Sequence, residues 1–247
     1  SLVLTLSKGM KQTITKKYSL SNALIINPWV DTKIIKPLDY SKNKYAKDYV
    51  PSDKFVVLYS GNMGLAHDID TILEAAKILK DDKKILFLLI GEGPGYEKVR
   101  KFIFNFNIKN LKLFPFQEQK KLKYTLPLAS ISLVSLNSGL EDFLIPSKTF
   151  FYLSAGSPLI SISNLKSELS NLIIKNKIGL VSNPGDSNEL ARKIKELQSD
   201  PNRLKEMKKN ARELVKNNFS KEIVLSDFIK LLIKAKLIPN INLEKTN

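Results

Sequence analysis

Short apolar runs alternate along this chain with stretches whose apolar residues recur every three or four positions. Phe55–Tyr59 is a continuous apolar run ending at Ser60–Gly61, the pattern of a strand covered on both faces. Ile69, Ile72, Leu73, Ala76 and Leu79 then repeat at helical spacing, with Asp68 and Asp70 placed where acidic side chains suit the exposed amides of a helix start. Ile85–Ile90 is the next strand, stopped by Gly91–Glu92–Gly93–Pro94–Gly95, and Tyr96, Val99, Ile103 and Phe106 form a second helical stripe. Further strands are expected at Leu111–Phe114, Ile131–Leu136, Leu159–Ile162 and Ile178–Ser182, with helical segments between most of them. Buried strands alternating with helices predict an α/β fold, a doubly wound parallel sheet over residues 53–185.

The two ends carry different patterns. Residues 186–247 read as helices and a tail: Leu190, Ile194 and Leu197 make one stripe, and Leu204, Met207, Ala211 and Leu214 another. Asp200–Pro201 is a cap followed by a first-turn proline, and Ser220 opens a last helix to about Lys236. At the other end, Leu2–Leu6 predicts a strand, Lys8–Tyr18 a helix and Ala23–Ile26 a strand, running into Asn27–Pro28–Trp29–Val30–Asp31. Residues 1–31 are therefore expected to be the last unit of a separate domain whose body is missing. Residues 32–52, polar, lysine- and tyrosine-rich and aperiodic, are expected to be a linker.

Composition narrows the chemistry. With 43% apolar and 26% charged residues in 247, the chain has globular rather than disordered composition. Its longest apolar run, Ile85–Ile90, falls far short of the roughly 20 residues of a membrane-spanning helix. Zero cysteines exclude disulfides and thiolate chemistry, and the single histidine, His67, excludes a multi-histidine metal site within the chain. Forty Lys+Arg against 24 Asp+Glu give +16, which suits nucleic acid, an anionic membrane surface or a phosphorylated ligand. No nucleic-acid module is recognisable, so nucleic acid is not expected as a partner. The lysines are scattered, as on a solvated surface, with denser runs at Lys205–Lys209 and Lys230–Lys236 that would meet an anionic membrane.

In open parallel sheets, ligands bind outside the carboxyl ends of the strands. Two glycine-rich loops fall there: Gly61–Asn62–Met63–Gly64 and Gly91–Glu92–Gly93–Pro94–Gly95. Glycine lets backbone amides approach phosphate oxygens, although the same residues also serve plain tight turns. Neither loop is a dinucleotide fingerprint, since Tyr96 stands at the last glycine position of the second, and no Gly-Lys-Ser/Thr triplet makes a P-loop. A third loop, Asn137–Lys148, carries two acids and a lysine and feeds a helix beginning near Ser147. Lys148 falls in that helix's first turn, where a cation opposes the dipole unless an anion is bound.

Taken together, these pieces resemble the carboxyl-terminal half of retaining glycosyltransferase family 4, the group 1 glycosyltransferases of GT-B fold. The matching residues are Asn27–Asp31, Tyr59–Gly64, Leu89–Pro94, Phe114–Phe116 and Ile145–Lys148 through Ser154–Pro158. The tryptophan at the crossing and the Pro–Ser–Lys element are similar to the WbuB-like subgroup of surface-polysaccharide transferases. The resemblance implies a nucleotide-diphosphate sugar donor, UDP- or GDP-linked, with no cofactor and no metal. It further implies that Gly61, Asn62, Gly64, Gly91 and Gly93 approach the diphosphate or sugar, while Phe116 and Gln117 hold the base. Glu141 would touch donor sugar hydroxyls, and Ser147 and Lys148 would face the phosphates, Lys148 stabilising the leaving group.

Three departures bear on that picture. Asn62 and His67 stand where the family commonly has an arginine and a lysine, and a protonated His67 would compensate in part. Phe151 stands where the family's ribose-binding glutamate falls. Glu141 lies ten residues before Phe151 rather than eight. The acceptor would bind the amino-terminal domain, in a cytoplasmic protein or one peripheral on the inner membrane face. Two alternatives stay open: a nucleotide-sugar epimerase of the same architecture, and a non-catalytic nucleotide-binding or membrane-docking module.

Overall fold

The computed structural model describes residues 3–19, 23–136 and 145–239. A small parallel unit comes first, β1 (Val3–Thr5), α1 (Lys8–Tyr18) and β2 (Ala23–Ile25). The Ser7 hydroxyl caps α1 by accepting from the Met10 amide at 3.0 Å. The Glu168 carboxylate, from the main domain, adds to that end by accepting from the amides of Lys8 (3.2 Å) and Gly9 (3.4 Å).

The stretch 32–52, which lacks any sequence period, is nevertheless ordered against the main domain. It carries a 3-10 turn at 40–42 and a short helix, α2 (Ala46–Tyr49), and it buries Ile35, Ala46, Tyr49 and Val50. Arg212 ties its start down. The guanidinium donates to the carbonyl oxygens of Thr32 (2.7 Å), Ile35 (3.1 Å) and Ser154 (2.7 Å). A fork of fixed donors meeting three backbone acceptors satisfies groups that would otherwise be buried unpaired.

The main domain continues β3 (Phe55–Ser60), α3 (Ile69–Ile78), β4 (Ile85–Gly91), α4 (Pro94–Phe106), β5 (Leu111–Pro115), α5 (Leu122–Thr125), β6 (Ile131–Ser135), α6 (Lys148–Ser154), β7 (Leu159–Ile162), α7 (Glu168–Lys175) and β8 (Gly179–Ser182). Three helices close the chain: α8 (Ser187–Ser199), α9 (Pro201–Asn218) and α10 (Lys221–Lys234). The six strands lie in the order β5-β4-β3-β6-β7-β8, every neighbour parallel, which is the doubly wound arrangement expected from the alternation.

Alternate residues of the central strands enter two cores. Val56, Leu58, Leu86, Leu88 and Ile90 face one; Val57, Tyr59, Ile85, Phe87 and Leu89 face the other. Coverage on both faces is why these strands read as unbroken apolar runs. Asp186 caps α8 through the Glu189 amide (2.8 Å), and Asp200 caps α9 through the Arg203 amide (2.9 Å). Among the described residues, no helix is long and apolar enough to cross a membrane.

Candidate functional site

Strand order reverses between β3 and β6, so the loops leaving their carboxyl ends diverge and open a crevice there. The loop after β3 begins at Gly61, whose φ of +140° is a backbone conformation that side chains resist. It is locked to the loop after β4: Gly61 N–H donates to Ile90 O (2.9 Å), Met63 N–H to Glu92 O (2.7 Å), and Gly95 N–H to Met63 O (2.8 Å). A Cβ on Gly91 would overlap the Gly61 carbonyl oxygen, and one on Gly93 would meet Asn62 Oδ1. These second-loop glycines thus let two backbones touch. Gly91 is buried, and its place is in that packing rather than on the crevice surface. With Gly61, Met63 and Gly95 consumed internally, the amides of Asn62, Gly64 and Gly93 have no hydrogen-bond acceptor among the described residues.

Helix α6 closes the other side. Lys148 and Tyr152 are four residues apart and so share one helical face, which is turned to the end of β3. The buried Tyr152 hydroxyl accepts from Ser60 N–H (2.8 Å) and donates to Ser60 O (2.7 Å). One turn earlier, Lys148 Nζ donates to the Tyr59 hydroxyl at 3.0 Å and lies 4.2 Å from the centroid of its ring. The Tyr59 hydroxyl in turn donates to Asn62 O (2.7 Å). Gly61 makes room for the ammonium, since a Cβ there would stand 3.1 Å from Lys148 Nζ. Among the described residues no carboxylate pairs with Lys148, and burial lowers its pKa to about 8. The cation expected in the first turn of this helix is therefore present, half-buried and, among the described residues, held only by neutral groups.

His67 sits across the crevice, its Nδ1 2.7 Å from the carbonyl oxygen of Ser135 at the end of β6. A carbonyl can only accept, so Nδ1 carries the proton and Nε2 is left as an acceptor without a partner among the described residues. Burial first, and the Lys148 charge second, push the imidazole below its ordinary pKa. In the ligand-free protein these surroundings favour the neutral imidazole, against the compensating imidazolium expected from the sequence. Ser147 precedes α6, exposed, and makes no side-chain cap. The amides of Thr149 and Phe150 are taken by the carbonyls of Pro146 (3.0 Å) and Ser147 (3.1 Å), so this short helix offers fewer open donors than expected.

Phe116 and Gln117 follow β5, two strands from the switch point, next to the Gly91–Pro115 pairing. Phe116 is exposed; Gln117 accepts from the Tyr49 hydroxyl (2.9 Å) and donates to Pro115 O (2.8 Å). No hydrogen bond or ring contact joins either to the Lys148 group among the described residues. Phe151 is partly buried against the first core with Tyr45 and Ile145. Glu141 lies outside the described residues. Tyr59, at the centre of the group, was hidden in the sequence because it sits inside an apolar strand run. The only hint was its place directly before the first glycine loop.

The family described as glycosyl transferases group 1 matches residues 41–214. The chain is similar to WcaI of Escherichia coli, named as a colanic acid biosynthesis glycosyl transferase, at 26% identity over 174 residues, 69% of this chain and 42% of that protein. It is similar to WbjE of Pseudomonas aeruginosa, named as a glycosyltransferase, at 25% identity over 228 residues, 92% of this chain and 56% of that protein. The chain thus spans about half the length of the curated relatives it matches. In fold it is similar to HepE of Anabaena, solved in complex with UDP and glucose, with a TM-score of 0.79 over 95% of this chain and 63% of that one, at 14% identity.

Proposed function

Because the chain belongs to the group 1 glycosyl transferases, we propose that its crevice binds a nucleotide-diphosphate sugar, UDP- or GDP-linked, as donor for retaining transfer of a hexosyl or N-acetylhexosaminyl group. The observation that carries this reading is the convergence of the Lys148 ammonium with the Gly61–Gly64 loop at the switch point. A half-buried cation lacking a carboxylate partner among the described residues is a natural complement to a diphosphate. As the sugar–oxygen bond breaks, negative charge grows on the leaving diphosphate. Lys148 and the open amides of Asn62 and Gly64 stabilise that charge in place, without a metal. On this reading Glu141 contacts the sugar hydroxyls, Gly91 and Gly93 shape the loop that Asn62 leans on, and Ser147, Phe116 and Gln117 border the phosphates and base. Neutral His67 offers Nε2 as an acceptor to a donor hydroxyl.

The acceptor, a surface-polysaccharide or lipid-linked glycan, belongs to an amino-terminal domain of which β1–α1–β2 is the last unit. A two-stranded sheet is marginal by itself and supports that assignment. Residues 1–247 by themselves are then expected to bind donor without transferring it, because domain closure is what excludes water. Isothermal titration with UDP and GDP against uridine and guanosine tests the donor site. We expect a diphosphate to bind with measurable heat and its nucleoside to bind far more weakly; no heat from either diphosphate at millimolar concentration overturns the reading.

A further inference from the structure

The Tyr59 hydroxyl has one proton, and the structure gives it to Asn62 O at 2.7 Å. Its lone pairs are thereby aimed at Lys148 Nζ, 3.0 Å away, while its ring lies beneath the same ammonium. Tyr59 is itself fully buried in the second core, so its ring cannot swing away with the lysine. The phenol links two things the proposed site needs at a constant spacing, the cation on α6 and the loop carrying the Asn62 and Gly64 amides. The groups facing the ammonium and the Tyr59 hydroxyl include Gly61 and His67 on the loop after β3, the buried Ser135 side chain at the end of β6, and Tyr152 one turn along α6, whose hydroxyl is spent on Ser60.

We infer that Tyr59 is a positioning residue: it seats the Lys148 ammonium at the mouth of the crevice and holds it in register with the Asn62–Gly64 loop. It touches no ligand and acts through Lys148. The inference rests on the donor reading above for the ligand's identity, though not for the seating itself. Removing only the hydroxyl, Tyr59→Phe, keeps the buried ring and the ring–cation contact. It takes away the lysine's neutral acceptor and the loop carbonyl's donor.

Two measurements on the full chain test it. Trace acetylation with acetic anhydride across a pH series, read at Lys148 by mass spectrometry, needs no ligand. Loss of an acceptor for the charged form is expected to lower the midpoint by about one pH unit in Tyr59→Phe. An unmoved midpoint overturns the inference. The second measurement compares UDP with uridine in a double-mutant cycle. Tyr59→Phe is expected to weaken UDP about tenfold and leave uridine unchanged, the scale of a hydrogen bond to a charged group. In a Lys148→Ala background the same change is expected to do nothing further to UDP. Equal loss for UDP and uridine, or a loss that persists without Lys148, assigns Tyr59 a merely structural role and overturns the inference. If the wild-type chain binds no diphosphate while the acetylation midpoint still moves, the donor reading fails and the seating of Lys148 stands.

Discussion

Lysine is costly to bury without a carboxylate; among the described residues none meets Lys148, and burial holds its pKa near 8. The sign of the linked stability follows from the difference between that value and the ordinary 10.5 of the unfolded chain. Below pH 8 both states are charged and the destabilisation is fully present. As pH rises from 8 to 10.5 the folded lysine is already neutral, the unfolded one is still losing its proton, and the penalty fades. Lys148→Met is therefore expected to stabilise the ligand-free protein by about 1–3 kcal/mol at pH 7. The gap between variant and wild type should close between pH 8 and 10.5 in urea denaturation. The same variant should bind diphosphate measurably but more weakly, so stability and function part company at this residue. A wild type no less stable than the variant at pH 7 would mean that the hydroxyl and ring of Tyr59 repay the whole desolvation cost.

Between elements, the loops after β3 and β4 act as one body. Each gives amides to the other, and the contact closes only because Gly91 has no side chain beside the Gly61 carbonyl. Gly91→Ala is expected to cost about 3 kcal/mol or more, since backbone has to move rather than a side chain rotamer. Gly185→Ala is the control: its φ is +78° but a Cβ would meet nothing within 4 Å, so only the local strain remains. Chemical denaturation of the two variants separates interlock from strain, and equal losses would count against the interlock. Helix α6 belongs to the same assembly, fastened to β3 by Tyr152 and Lys148 and to residues 32–35 through Ser154 and Arg212.

For the molecule as a whole, the excess of positive charge is a property of the surface. We expect peripheral attraction to vesicles rich in phosphatidylglycerol at low ionic strength, released as salt passes about 0.15 M, where the screening length is roughly 8 Å. Sedimentation across a salt series checks this; no pelleting at low salt removes the membrane from the list of partners. Much of the architecture was legible in the chain. The doubly wound sheet, the helix at Lys8–Tyr18 and the cap at Asp200 follow from local periodicity and local hydrogen bonding, which neighbours along the sequence determine by themselves. The glycine loops and Lys148 stood out for the same reason. Residues 32–52 did not, because Ile35 and Tyr49 are buried by elements far away in sequence, Tyr49 against Phe114 of β5, rather than by any repeat of their own. Nor did Tyr59 as a cradle, Gly91 as a spacer or His67 as a neutral imidazole. Each of those roles depends on a partner that only folding brings near: Lys148 lies 89 residues from Tyr59, and Ser135 lies 68 from His67. Sequence alone thus determined the strands, most of the helices and the end of the sheet at which the glycine loops gather. Tertiary structure decided which groups in it are charged, which are spent and which remain to bind, since desolvation and hydrogen bonding are set by whatever packs alongside.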